Sequence, residues 1–122
     1  MSMRIAIAVA AVSLLGATSA YAGKPVATGP VSVAAAETVQ CAAVNISTKD
    51  LAEVVVSIYK ANTPTPETGT TCTPLAPAGL CGVQSSLLTP GLRFCSVSVK
   101  GSTKSVRGRF CNLTTGQCAP LQ

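Results

Sequence analysis

Six cysteines, at 41, 72, 81, 95, 111 and 118, constrain this chain more than any other feature. What precedes them says which compartment they meet. The chain opens "MSMRIAIAVAAVSLLGATSAYAG". Arg4 supplies a positive n-region, residues 5 to 15 an apolar run, and "AYA" before Gly23 a small-x-small cleavage pattern. That is the layout of a secretory signal peptide. We therefore read residues 1–22 as a signal peptide and 23–122 as a single domain, secreted or periplasmic. A transmembrane anchor is the alternative. The run is Ala-rich, broken by Ser13 and Gly16, and barely long enough to span, so no integral membrane span is expected after cleavage. In a short exported chain an even cysteine count reads as a disulfide framework. About 100 residues form one small domain that buries only roughly two-thirds of its surface, so covalent links are the expected supplement to its core.

The same composition narrows the chemistry. No Cys-x-x-Cys occurs and the chain has no histidine, so the thiols do not read as a metal or redox centre. Without histidine there is no usual general base and no pH switch. The acids are Glu37, Asp50, Glu53 and Glu67. Asp50 and Glu53 sit three apart in "TKDLAE", where a capping box on a helical turn is the expected role. No nucleotide loop, nucleophile elbow or cofactor motif is present. The expectation is a protein without a cofactor or metal, and not an enzyme.

Short runs with β-branched residues recur at close to ten-residue spacing, separated by turn signals. They fall at 30 to 37, 38 to 47, 53 to 60, two within 71 to 86, 93 to 100 and 105 to 113. "EVVVSIYK" carries three consecutive valines, whose stiff side chains favour strand over helix. A helix over 50 to 60 is the alternative. About seven short strands predict an all-β fold, a small disulfide-stapled immunoglobulin-like β-sandwich. Cys41 falls on the second strand and Cys95 on the sixth, which face each other across the core of such sandwiches. There is no tryptophan, and Arg93 occupies the place of a tyrosine corner, so the likeness is one of architecture, not kinship.

The other four cysteines look local. In "CNLTTGQC" a two-residue turn at Thr114-Thr115 would set Cys111 opposite Cys118, within disulfide reach. "CTPLAPAGLC" would close as a stapled loop, Cys72 to Cys81, because Pro74 spoils a regular ladder. Chain-entropy arguments give each short closure about 2.5–3 kcal/mol and a Cys41–Cys95 link about 4 kcal/mol. Those values rival the whole stability of a small domain.

The stretches "VQCAAVN", "TCTPLAPAGLC", "RFCSVSV" and "SVRGRFC" resemble a group of small exported bacterial proteins of unknown function. The resemblance runs from Val39 to Cys118. It implies an exported disulfide-linked β-domain of bacterial origin, and it brings no activity, ligand or site residue. This chain reads "APAGLC" where that group has Pro-Gly.

The functional lead is "VKGSTKSVRGRFC", with Lys100, Lys104, Arg107 and Arg109 and no acid. Strands 94 to 100 and 105 to 111 are expected to pair as a hairpin, Lys100 facing Ser105. Val97, Val99 and Val106 would then face the core, and Lys100, Arg107 and Arg109 the other side. From Thr68 onward there are five basic residues, Arg93 included, and no acid, so this half has a positive field. Two readings stand. One is a solvated face whose charges discourage edge aggregation. The other is an anion site for an anionic surface or an acidic protein. Specific nucleic-acid binding is not expected, because the face has no exposed aromatic for stacking. Two further classes are a secreted protease inhibitor presenting the 72–81 loop, and a surface-assembly subunit donating "GKPVATGPVSVAAAE" as a strand. N-linked glycans at Asn45 or Asn112 would require a eukaryotic secretory route.

Overall fold

The computed structural model describes residues 25–86 and 89–122. The signal peptide expected over 1–22 lies outside them. The described chain is all β, with nine strands: β1 (Val26–Ala27), β2 (Val31–Val33), β3 (Thr38–Asn45), β4 (Val54–Lys60), β5 (Thr68–Cys72), β6 (Leu80–Ser86), β7 (Gly91–Val99), β8 (Val106–Asn112) and β9 (Cys118–Pro120). One 3-10 turn, Thr103–Ser105, separates β7 from β8.

Two antiparallel sheets result. The first has the order β9-β8-β3-β6, and the second β1-β7-β4-β5, with β2 also on the outer edge of β7. Period-two alternation fixes what each strand buries. Val39, Cys41 and Ala43 of β3 meet Val54, Val56 and Ile58 of β4 and Cys95, Val97 and Val99 of β7 in one core. Phe110 is the one aromatic in that cluster and is fully buried. Val56 and Val97 face each other across the β4–β7 ladder. A core made mostly of valine brings little area per residue, which is where the cross-links count.

Three disulfides brace the fold, and two of them join the sheets. Cys41–Cys95 joins β3 to β7 through the core with Cα atoms 6.0 Å apart. Cys72–Cys81 joins the end of β5 to β6, Cα atoms 6.1 Å apart, and so connects the two sheets at one side rather than closing a loop within one. Cys111 stands directly opposite Cys118 in the β8–β9 register, Cα atoms 4.1 Å apart. All three pairings are those the spacing suggested, although the last turn is wider than two residues. Asn112 N–H donates to the Gln117 carbonyl at 2.7 Å, and Asn112 Oδ1 accepts from the Thr114 and Thr115 N–H groups. The opposite side is closed by a Thr28–Leu121 bridge and by Gln122 N–H donating to the Ala27 carbonyl at 3.2 Å.

Several expectations are corrected. Strands β7 and β8 do not pair as a hairpin. β7 lies between β4 and β1/β2, and β8 between β3 and β9. Residues 100 to 105 instead carry the chain from one sheet to the other. Alternation says which side of a strand is buried; it does not say which strand lies beside it. The sorting itself holds, with Val97, Val99 and Val106 inside and Lys100, Arg107 and Arg109 exposed. Gly108 belongs to this pairing: a Cβ there would meet the Ala42 carbonyl oxygen at 2.6 Å. No helical turn forms at Asp50–Glu53, where Leu51 and Leu75 bridge instead. β5 begins at Thr68, three residues before the 71 to 86 stretch in which its strand was expected.

Candidate anion-binding face

The register of the first sheet sets the geometry of its outer face. Arg107 pairs with Val44, and Val44 with Leu80. One step along, Arg109 pairs with Ala42, and Ala42 with Gly82. Odd-numbered positions of β8 point outward, so the two arginines project side by side from one strand. Beside them lies a shallow depression of about 450 Å³, lined by Ala42, Val44, Leu80, Gly108 and Leu113, with Gln40 and Cys111 at one end. Its floor is low because Ala42 is small; Gly108 contributes only backbone to it.

The electrostatics are one-signed. No carboxylate lines the depression. The one salt bridge among the described residues is Arg93–Glu67, elsewhere in the fold. Glu37 is held by the Ala34 N–H at 2.7 Å and by Asn112 Nδ2 at 2.8 Å. The Ala34 hydrogen bond foremost, and the Asn112 one with it, lower the Glu37 pKa below the ordinary carboxylate value. Arg107 makes one contact of its own, Nη1 donating to the Val106 carbonyl at 3.3 Å. Two guanidinium groups in that setting offer forked donors that suit carboxylate, phosphate or sulfate oxygens. The lining holds no acid, hydroxyl or imidazole that would serve as a base or nucleophile.

The four expected site residues do not share one face. Arg107 and Arg109 are on the outer face of the first sheet. Lys104 stands on the 3-10 turn and joins Arg107 at a second depression of about 250 Å³, formed with Val26, Leu121 and Gln122 along the closed seam. Lys100 follows β7, its N–H donating to the Glu53 carbonyl at 2.9 Å. Arg93, counted with the free positive charges, is fully buried. Its parity with Cys95 and Val97 was the signal for this. Among the described residues, the one stacked aromatic pair, Tyr59 on Phe94 with centroids 5.2 Å apart, belongs to the other sheet.

The other candidate segments are bound into the fold. In the 72–81 loop Leu75 is buried and exchanges two backbone hydrogen bonds with Leu51. The N–H of Ala78 and the carbonyl of Gly79 pair with Asn45, leaving Ala76 and Pro77 at the tip. Val26–Ala27 and Val31–Val33, in the segment considered as a donated strand, already pair with β7. Asn45 and Asn112, each followed two residues on by Ser47 or Thr114, are 1% and 0% exposed. Asn45 Nδ2 donates to the Lys49 and Leu75 carbonyls, and Asn112 Nδ2 to the Ser32 carbonyl and Glu37. Their Oδ1 atoms accept from the N–H of Ser47 and of Thr114. Both therefore act as turn caps at strand ends, a role of Asn in Asx-turns that the sequence reading missed.

Among the described residues no three Cys, Asp or Glu side chains come together as a metal-ligand cluster, and no helix is long and apolar enough to cross a membrane. Comparison with protein-family models, curated proteins and solved structures finds no match to this chain.

Proposed function

We propose that the protein is an exported, non-catalytic binding domain that holds an anionic ligand on the outer face of its first sheet, through Arg107 and Arg109. The observation that carries this reading is the unopposed pair itself. Two guanidinium groups, two residues apart on one strand, border a depression without a carboxylate. Export to the periplasm or the exterior is supported by the three disulfides, which persist in oxidising compartments.

The architecture we assign is an immunoglobulin-like sandwich with altered edges. Its support is the inner arrangement. β3 pairs with β6 and β4 with β7, and Cys41–Cys95 spans the two pairs, as the disulfide of such domains does. The last long strand departs from that pattern: β8 lies beside β3, whereas an immunoglobulin domain keeps it beside the counterpart of β7. This exchange is what puts Arg107 and Arg109 next to Ala42 and Val44.

The test is a titration with inorganic pyrophosphate followed by amide chemical shifts. The amides of Arg107, Gly108, Arg109 and Ala42 should move together, and the apparent affinity should fall as salt rises. Shifts spread evenly over Lys49, Lys60, Lys100 and Lys104 as well would reject a localised site.

A further inference from the structure

We propose that the ligand of this face is an amphiphilic anion, with its acidic headgroup at Arg107 and Arg109 and its apolar chain laid across Val44 and Leu80. The proposal rests on the anion-binding reading of the same face. It adds the chemistry of the part of the ligand that is not charged.

The cross-strand row is the first argument. Arg107, Val44 and Leu80 are successive partners on β8, β3 and β6. Neighbouring strands lie about 4.8 Å apart, so the surface passes from cationic to wholly apolar over about 10 Å. Leu80 ends the row on an edge strand and is 65% exposed; Leu113, at the depression's other end, is 48% exposed. Between them the floor recedes at Ala42. A depression of about 450 Å³ is in the size range of small-ligand sites, roughly 300–1,000 Å³.

The second argument is the contrast with the other sheet. Its outward positions mix Ser57, Ser96 and Ser98 with Val55 and the stacked Tyr59 and Phe94, and no pair of guanidinium groups stands among them. The corresponding strands of the first sheet carry Ala42, Val44 and Leu80. Val44 and Leu80 are cross-strand neighbours that line the same depression as the two arginines, so they form a patch and not scattered apolar residues. Charge is the third. The cations occupy one strand and do not continue across the sheet, so a compact headgroup can meet both guanidinium groups at once. No acid in the lining would repel that headgroup.

The experiment titrates the disulfide-intact protein with dodecyl phosphate below its micelle concentration, with inorganic phosphate, and with uncharged dodecyl maltoside. The amide shifts of Ala42, Val44, Leu80 and Arg109 are read in each. Dodecyl phosphate should bind at least about tenfold more tightly than inorganic phosphate, since burying only two methylenes accounts for such a factor, and more tightly than dodecyl maltoside, which has the same chain but no charge for the arginines. Leu80→Ser should weaken dodecyl phosphate about fivefold by exposing part of the chain, and leave inorganic phosphate unchanged. Arg109→Gln should weaken both phosphates. Inorganic phosphate binding as tightly as dodecyl phosphate would overturn the amphiphile and leave the anion site standing. Dodecyl maltoside binding as tightly as dodecyl phosphate, or no shift on this face with any probe, would overturn both.

Discussion

Arg93 Nε donates to Glu67 Oε1 at 2.6 Å, and its Nη2 to Glu67 Oε2 at 3.2 Å, with the arginine side chain fully buried and the glutamate 29% exposed. The Thr89 carbonyl and hydroxyl also accept from Nη2. Arg93 therefore sits on the core side of β7 as a charge with one counter-ion. Removing one partner of a buried pair leaves an uncompensated charge, at a cost of about 3 kcal/mol or more. Glu67→Gln should lower the urea midpoint accordingly. The double variant Arg93→Met, Glu67→Gln should recover most of that loss, since replacing a buried pair by apolar side chains is often neutral. A double variant no more stable than Glu67→Gln alone would mean that the pair is worth more than the removal of its charge.

Gly108 reports on strand pairing. Its missing Cβ is what lets β8 approach the β3 backbone at Ala42. Gly108→Ala should destabilise by about 1–3 kcal/mol through overpacking, whereas Gly29→Ala, where a Cβ would meet nothing nearer than 3.8 Å, should cost less. Equal midpoints for the two variants would argue against the β3–β8 pairing.

How much of this was legible in the sequence follows from the range over which each signal acts. The Cys111–Cys118 pair was readable because its partners are close in sequence and one turn opposes them. Burial along β7 and β8 was readable because alternation is local. The neighbour of β8 was not, because β3 lies far away along the chain and nothing in "SVRGRFC" names it. Gly108 was the available hint, since a glycine inside a strand marks a close backbone approach. Arg93 was misread by treating charge as stronger than parity. The depression escaped notice for a related reason: its apolar half comes from Ala42, Val44 and Leu80, and its charged half from β8, so only the folded register brings them together.

Glu37 gives the protein an acid-sensitive clasp. Its carboxylate joins the β2–β3 turn to Asn112, and its pKa is lowered in the folded state. A group with a depressed folded pKa contributes stability that is fully present above its unfolded value, about 4.5, and is lost as pH falls through the lowered folded value. Glu37→Gln should therefore be less stable than the parent at pH 6, and the difference should shrink as pH falls below about 4.5. Urea midpoints of parent and variant across that range check this. A difference that stays constant with pH would show that the carboxylate charge plays no part.

On the proposed reading, Arg107 and Arg109 together form the site, separately from Lys100 and Lys104. Elution from heparin compares two variants that each lose two positive charges: Arg107→Gln with Arg109→Gln, and Lys100→Gln with Lys104→Gln. If the face on β8 holds the anion, the arginine pair should elute at much lower salt than the parent, and the lysine pair should stay close to it. Equal shifts for the two variants would mean that the protein holds anions by its net charge and not by this face.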